Sequence, residues 1–217
     1  MWEMILAGRY MMIPISLASL VGMAVLIERI YVLRQGRIIV PEIAEAVMTL
    51  SASQDLSVAY AICDRRPGPF SNLVRAGLDH ADNDWTVIRD VLEETGRQEA
   101  TRLTRRLGVL ETVAAVSPLL GLLGTVLGMI RVFATISLAG LGNPETLSSG
   151  ISEAMVTTAA GLIIGIPALV AYNWLNGRAD RIIFDLELYS SKVLDTLRRR
   201  QISRSVGVRD SDAAARP

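Results

Sequence analysis

The sequence predicts an all-α membrane protein with three transmembrane helices, and three observations carry that prediction. Apolar runs at Tyr10–Leu33, Val113–Ala139 and Gly150–Trp174 each reach membrane length, a helix of about 20 residues being enough to cross the hydrocarbon core. Arginines gather just outside those runs, with Arg29 and Arg131 the exceptions within them, as the inner flanks of membrane helices require. The residues between the runs show helical periodicity and little strand alternation. A chain that is 51% hydrophobic with a formal net charge of zero gives no indication of nucleic-acid binding and does not read as an ordinary soluble domain.

The first run (segment 1–37 with its flanks) is broken only by Glu28 and Arg29 near its end. Arg9 alone precedes it closely, whereas Arg29, Arg34 and Arg37 close it, so its N-terminus is expected outside. It reads as a span rather than a cleaved leader, because no basic cluster precedes it and no small-residue cleavage site follows.

Residues 38–106 are expected to form helices on the inner side. Pro41 suits the first turn of a helix over 42–50, and a second follows over 55–64. The segment Arg65–Pro69 is a break, since two prolines and a glycine cannot continue a helix. A short helix is predicted over 70–80 and a polar turn over Asp79–Asp84. Asp84 is placed to cap a fourth helix from Trp85. That helix carries Asp90, Glu93 and Glu94 early and Arg97, Arg102, Arg105 and Arg106 late, in the order its dipole favours. No proline or glycine-rich break separates it from the second run, so it is expected to continue into the membrane.

The second span (107–139) starts inside and exits outside. The connection 140–150 carries Glu145 and no lysine or arginine, and Asn143-Pro144 supplies a capping side chain followed by proline at the first helical position. The third span (151–177) then runs inward to Tyr172 and Trp174, with Arg178 and Arg181 beyond. A helical extension (178–200) ends in Arg198–Arg200, either near anionic lipid or as a solvated helix end. A disordered tail is expected over 201–217.

Soluble-enzyme chemistry is absent from this pattern. The glycines of GLLGTVLG lack the Gly-Lys-Ser/Thr of a phosphate loop. His80 is the only histidine and Cys63 the only cysteine, so no His pair holds a metal and no internal disulfide forms. Asp79, Asp82 and Asp84 read as a solvated turn. No metal, cofactor or catalytic residue is expected.

What stands out is Glu153, the one acid at the head of a run that carries no further charge until Arg178. An ionisable group at the edge of an apolar span is costly and marks a candidate site. Thr125, Thr157, Thr158 and Ser117 are the polar residues of the same spans, although a threonine in a membrane helix often bonds back to its own helix. At 100° per residue Thr157 lies about 40° from Glu153 and Thr158 about 140°. Gly124 and Gly128, and likewise Gly161 and Gly165, have the four-residue spacing of close helix contact, and Gly121 extends the first set. They predict a packed, oligomeric bundle. Pro118 and Pro167 should kink their spans. Arg131, near the outer end of the second span, is expected to snorkel to water.

SPLLGLLGTVLGMI (Ser117–Ile130) and GISEAMVTTAAGLIIGIPALVAYN (Gly150–Asn173) resemble the MotA/TolQ/ExbB proton-channel family, most closely its ExbB/TolQ branch. Arg131 departs from it, standing where relatives carry a neutral polar residue. The resemblance implies a homopentamer in the bacterial inner membrane, N-terminus periplasmic and C-terminus cytoplasmic, around a central pore that holds a dimer of single-span ExbD- or TolR-like subunits. It implies that proton motive force drives work passed to a TonB- or TolA-like periplasm-spanning protein. Glu153 matches the family's proton-carrying glutamate, and Thr125 and Thr158 match its pore threonines; Thr157 is the competing position. Lipid is the other implied partner. A flagellar-stator-like subunit and a passive oligomeric scaffold are the alternatives.

Overall fold

Residues 11–33, 56–139 and 144–214 are described by the computed structural model; the helix expected over 42–50 lies outside them. Every regular element among the described residues is a helix. In chain order these are α1 (Met12–Val32), α2 (Ser57–Arg65), α3 (Pro69–Asp79), α4 (Trp85–Thr104), α5 (Leu107–Ala139) and α6 (Pro144–Ala214). Three helical stretches, within Met12–Val32, Trp85–Ser137 and Ser148–Ser203, are long and apolar enough to cross a membrane. The chain divides into two units. One comprises α1, α5 and α6 as far as Asn176; the other comprises α2, α3, α4 and the remainder of α6.

In the first unit many large apolar side chains face outward while small ones pack inside beside a few large ones such as Ile15, Leu110 and Leu175. Ile13, Leu20, Phe133, Ile163 and Val170 are exposed, whereas Ala114, Ala154, Ala168 and Ser117 are buried. A water-soluble unit would hide the former; a lipid-facing one gains nothing by doing so and instead packs small residues between helices. α1 packs on α5, where a Cβ on Gly22 would lie 3.0 Å from Val113 Cγ1. At the other end of α1, Glu28 takes an ion pair from Arg106 and lies 3.4 Å from Arg29. Pro118 and Pro167 both lie within uninterrupted helices. Pro118 cannot donate to Ala114 O, and its ring occupies the notch left by Gly165, whose Cβ would meet Pro118 Cγ at 2.6 Å.

The second unit has an ordinary water-soluble core. Phe70, Leu73, Val74, Ile88, Leu92, Ile182, Leu186, Val193 and Leu197 are buried together, each side chain worth about 1.5–3 kcal/mol on burial. The Phe70 and Tyr189 rings pack 5.2 Å apart. α3 opens with Pro69 after Gly68, as the Arg65–Pro69 break predicts. Buried Glu99 accepts from Asn72 Nδ2 (3.0 Å) and Arg102 Nη1 (2.6 Å). The turn after α3 is held by Gln201, whose Nε2 donates to Ala81 O (2.9 Å) and Asn83 O (2.5 Å). Arg198 lies over the Trp85 ring at 5.7 Å, so this arginine is engaged within the helical unit itself.

Two local expectations need correction. Asp84 stands at the N-cap of α4, but its side chain makes no capping bond; its backbone carbonyl instead accepts from Val87 (2.9 Å) and Ile88 (3.1 Å). The expected single helix from Trp85 into the membrane lapses for two residues at Arg105–Arg106, although Arg105 N–H still bonds to Thr101 O (3.0 Å). Arg106 there reaches Glu28. α6 itself runs on to Ala214, and no proline stands between Pro167 and Pro217 to end it.

Two expected results follow from the fold. Gly177 lies in the interior of α6 with nothing within 4 Å of its hypothetical Cβ. Gly177→Ala should therefore stabilise the protein by about 0.5–1 kcal/mol through backbone entropy alone, read as a raised midpoint of thermal unfolding in detergent. The second result concerns alkali. Burial pushes the Cys63 thiol from its ordinary 9.0 up to about 11, and burial together with the bond from its hydroxyl to Asp79 (2.8 Å) pushes Tyr60 up to about 12. Both groups are neutral in the folded state where the unfolded chain would ionise. Their stabilisation is complete below the unfolded values and is lost as pH rises toward the folded ones. Unfolding midpoints should thus fall through the range from 9 to 11 more steeply in the parent than in Cys63→Ala.

Candidate functional site

The site grows out of how closely α5 and α6 approach. A Cβ on Gly161 would lie 2.5 Å from Ser117 O, and one on Gly121 would lie 2.9 Å from Thr157 O and 3.0 Å from Thr158 Cα. Only residues without a side chain permit such backbone contact. Gly124 faces Thr157 and Gly128 faces Ala154, so residue numbers climb on α5 as they descend on α6. The glycines read from the sequence thus all lie along one antiparallel seam.

At the middle of that seam the Thr125 and Thr158 hydroxyls meet in a short hydrogen bond. Thr158 Oγ1 is also 3.1 Å from Gly121 O, and Thr125 Oγ1 is 3.3 Å from both Gly121 O and Ala154 O. Each hydroxyl has one proton to donate and can accept from its neighbour. The pair therefore has two arrangements. Thr125 donates to Thr158, which donates to Gly121 O; or Thr158 donates to Thr125, which donates to a carbonyl. A reversible hydroxyl pair of this kind can hand a proton along without moving heavy atoms.

Thr157, which the single-helix geometry favours, is turned elsewhere. It is buried, and its hydroxyl bonds to Ala154 O (2.8 Å) and Glu153 O (3.3 Å) on its own helix. Its side chain fills the notch at Gly124, where a Cβ would lie 2.5 Å from Thr157 Oγ1. In this chain Thr157 is a packing residue of the seam.

Glu153 lies toward the N-terminal end of the same seam, about 7.5 Å of helix rise from Thr158. Its carboxylate Oε1 accepts from Arg131 Nη1 at 3.1 Å, with side-chain exposures of 22% for Glu153 and 50% for Arg131. Arg131 was expected to snorkel to water alone; the structure instead sets it against the acid. Reading the spans one at a time hides this. Aligning the two glycine rows antiparallel brings Arg131 level with the first residues of the third span, and that register is the signal that finds it. Among the described residues no group of three or more His, Cys, Asp or Glu side chains is placed to hold a metal ion.

Residues 66–188 match the model of the MotA/TolQ/ExbB proton channel family, a span that contains the whole seam. The chain belongs to that family. Its members are proton channels, not enzymes. Among its relatives is an ExbB homologue of Methanothermobacter thermautotrophicus, 28% identical over 86% of this chain and 66% of its own length. An ExbB-like protein of Synechocystis sp. is 33% identical over 78% of this chain and 68% of its own. The Tol-Pal system protein TolQ of Haemophilus influenzae is 36% identical over 50% of this chain and 47% of its own. The first two carry names in biopolymer transport. The chain thus spans about two thirds of the length of the first two relatives it matches.

Proposed function

We propose that this MotA/TolQ/ExbB family chain is the proton-conducting subunit of an ExbB/TolQ-type motor. It would sit as a multi-pass protein in a bacterial inner membrane, N-terminus periplasmic and C-terminus cytoplasmic. Several copies, five by family analogy, surround single-span ExbD- or TolR-like subunits. Proton flow through the assembly does work on a TonB- or TolA-like protein reaching the outer membrane. Glu153 binds and releases the proton, and Thr125 with Thr158 relays it along the helix seam.

The observation that carries this reading is the Thr125–Thr158 hydroxyl pair, formed within the close-packed seam of two apolar helices less than two turns from their acid. A structural bundle needs no reversible hydroxyl pair there. The test is proton uptake by liposomes holding the chain with its single-span partner under an imposed gradient. Uptake that depends on Glu153 supports the proposal, and uptake indifferent to Glu153→Gln overturns it.

A further inference from the structure

We propose that Arg131 is the resting counter-ion of Glu153: its guanidinium occupies the carboxylate between proton transfers and must leave for each proton to bind. The proposal deepens the proton-channel reading and rests on it for its role in flux, but not for the pairing itself. Arg131 would be a positioning residue acting through Glu153.

The geometry points to this in three ways. First, the bond joins two different spans, with Arg131 Nη1 donating to Glu153 Oε1 at 3.1 Å, and charges are retained in such places only with partners. Second, Glu28 and Glu111, the other acids of this unit among the described side chains, are paired or far off. Glu28 is engaged by Arg106 and Arg29. Glu111, the remaining acid of α5, precedes Arg131 by 20 residues, about 30 Å of helix. Among the described residues, Arg131 is the cation that reaches Glu153. Third, the pair is asymmetric, the arginine being half exposed and the acid mostly covered. The acid is held while the long guanidinium arm has room to turn away.

The proton balance is simple. A proton adds to a carboxylate oxygen of Glu153, the neutral acid no longer attracts the guanidinium, and the arm swings to water. Release of the same proton restores the carboxylate and the pair. The proton is taken by Glu153 and not by Arg131, since a guanidinium has donors and no acceptor. Arg131 gates the transfer without carrying it.

The pairing is tested with a hydrophobic carbodiimide, which reacts with protonated carboxyl groups, on the full chain assembled with its single-span partner. Modification of Glu153 is followed by mass spectrometry at neutral pH. With no guanidinium seated on the carboxylate, Arg131→Gln should label about tenfold faster than the parent. Arg131→Lys keeps a cation in reach and should stay within roughly twofold. Glu153→Asp covers the case in which Arg131→Gln fails to assemble. It draws the carboxylate back by one methylene from an intact arginine and should also label faster. Unchanged labelling in the assembled variants overturns the proposal. If labelling shifts as expected but Glu153→Gln leaves proton uptake intact, the channel reading fails and the ion pair stands. If Glu153→Gln abolishes uptake while Arg131→Gln leaves labelling unchanged, the counter-ion proposal fails alone.

Discussion

Gly161→Leu is expected to abolish the packed arrangement of α5 and α6, and Gly161→Ala to cost about 2 kcal/mol or more. The reason lies in what a side chain would meet. At Gly161 the added Cβ comes within 2.5 Å of Ser117 O, 3.1 Å of Gly121 Cα and 3.2 Å of Gly121 N. These are backbone atoms of a facing helix and cannot rotate aside. At Gly165 the neighbour is the Pro118 ring, and at Gly124 it is the Thr157 side chain, where some adjustment is open. Lipid offers no hydrophobic compensation, since helix association there depends on close packing itself. Loss of the oligomer in mild detergent, together with a lowered midpoint in denaturing detergent, would report the effect. Gly177→Ala is the matched control, expected to move the midpoint the other way. A Gly161→Leu variant that assembles with the parent midpoint would show that the two helices do not meet in this register.

The long apolar helices were legible in the sequence because lipid imposes a length, a constraint that acts along one chain. The glycine rows were legible for a similar reason, since their spacing is a property of a single helix. Facing was harder. A helical wheel places Thr157 nearer Glu153, yet the α5 contact turns Thr157 into the notch at Gly124 and brings Thr158 to Thr125. One helix alone does not decide between Thr157 and Thr158, because the deciding neighbour of Thr158 lies 33 residues away in sequence. Arg131 was misjudged on the same ground. Its depth alone suggests an arm reaching for water, and only the antiparallel register supplies the carboxylate opposite. Asp84 shows a smaller version of the problem: the residue type suits a cap, but a backbone carbonyl took the role. Pairwise geometry, not residue identity, is what one sequence read alone leaves open.

Glu153→Gln is expected to reduce proton uptake and energised transport to the level of empty liposomes or of cells lacking the chain, while the oligomer persists. Glutamine keeps the length and nearly the volume of the side chain. Its carbonyl oxygen can still accept from Arg131 Nη1, now without the charge. The ion pair it weakens is partly open to solvent, with exposures of 50% and 22%, and such pairs contribute only about 0–1 kcal/mol. Stability should therefore change little. What glutamine cannot do is bind and release a proton, so any function that passes through this position stops altogether rather than slowing. The passive-scaffold alternative shares the small stability change, since the pair is the same, but leaves flux untouched. Measuring uptake and unfolding on the same preparation separates the two. A variant that assembles, melts like the parent and conducts nothing is the result that only a proton-carrying Glu153 explains.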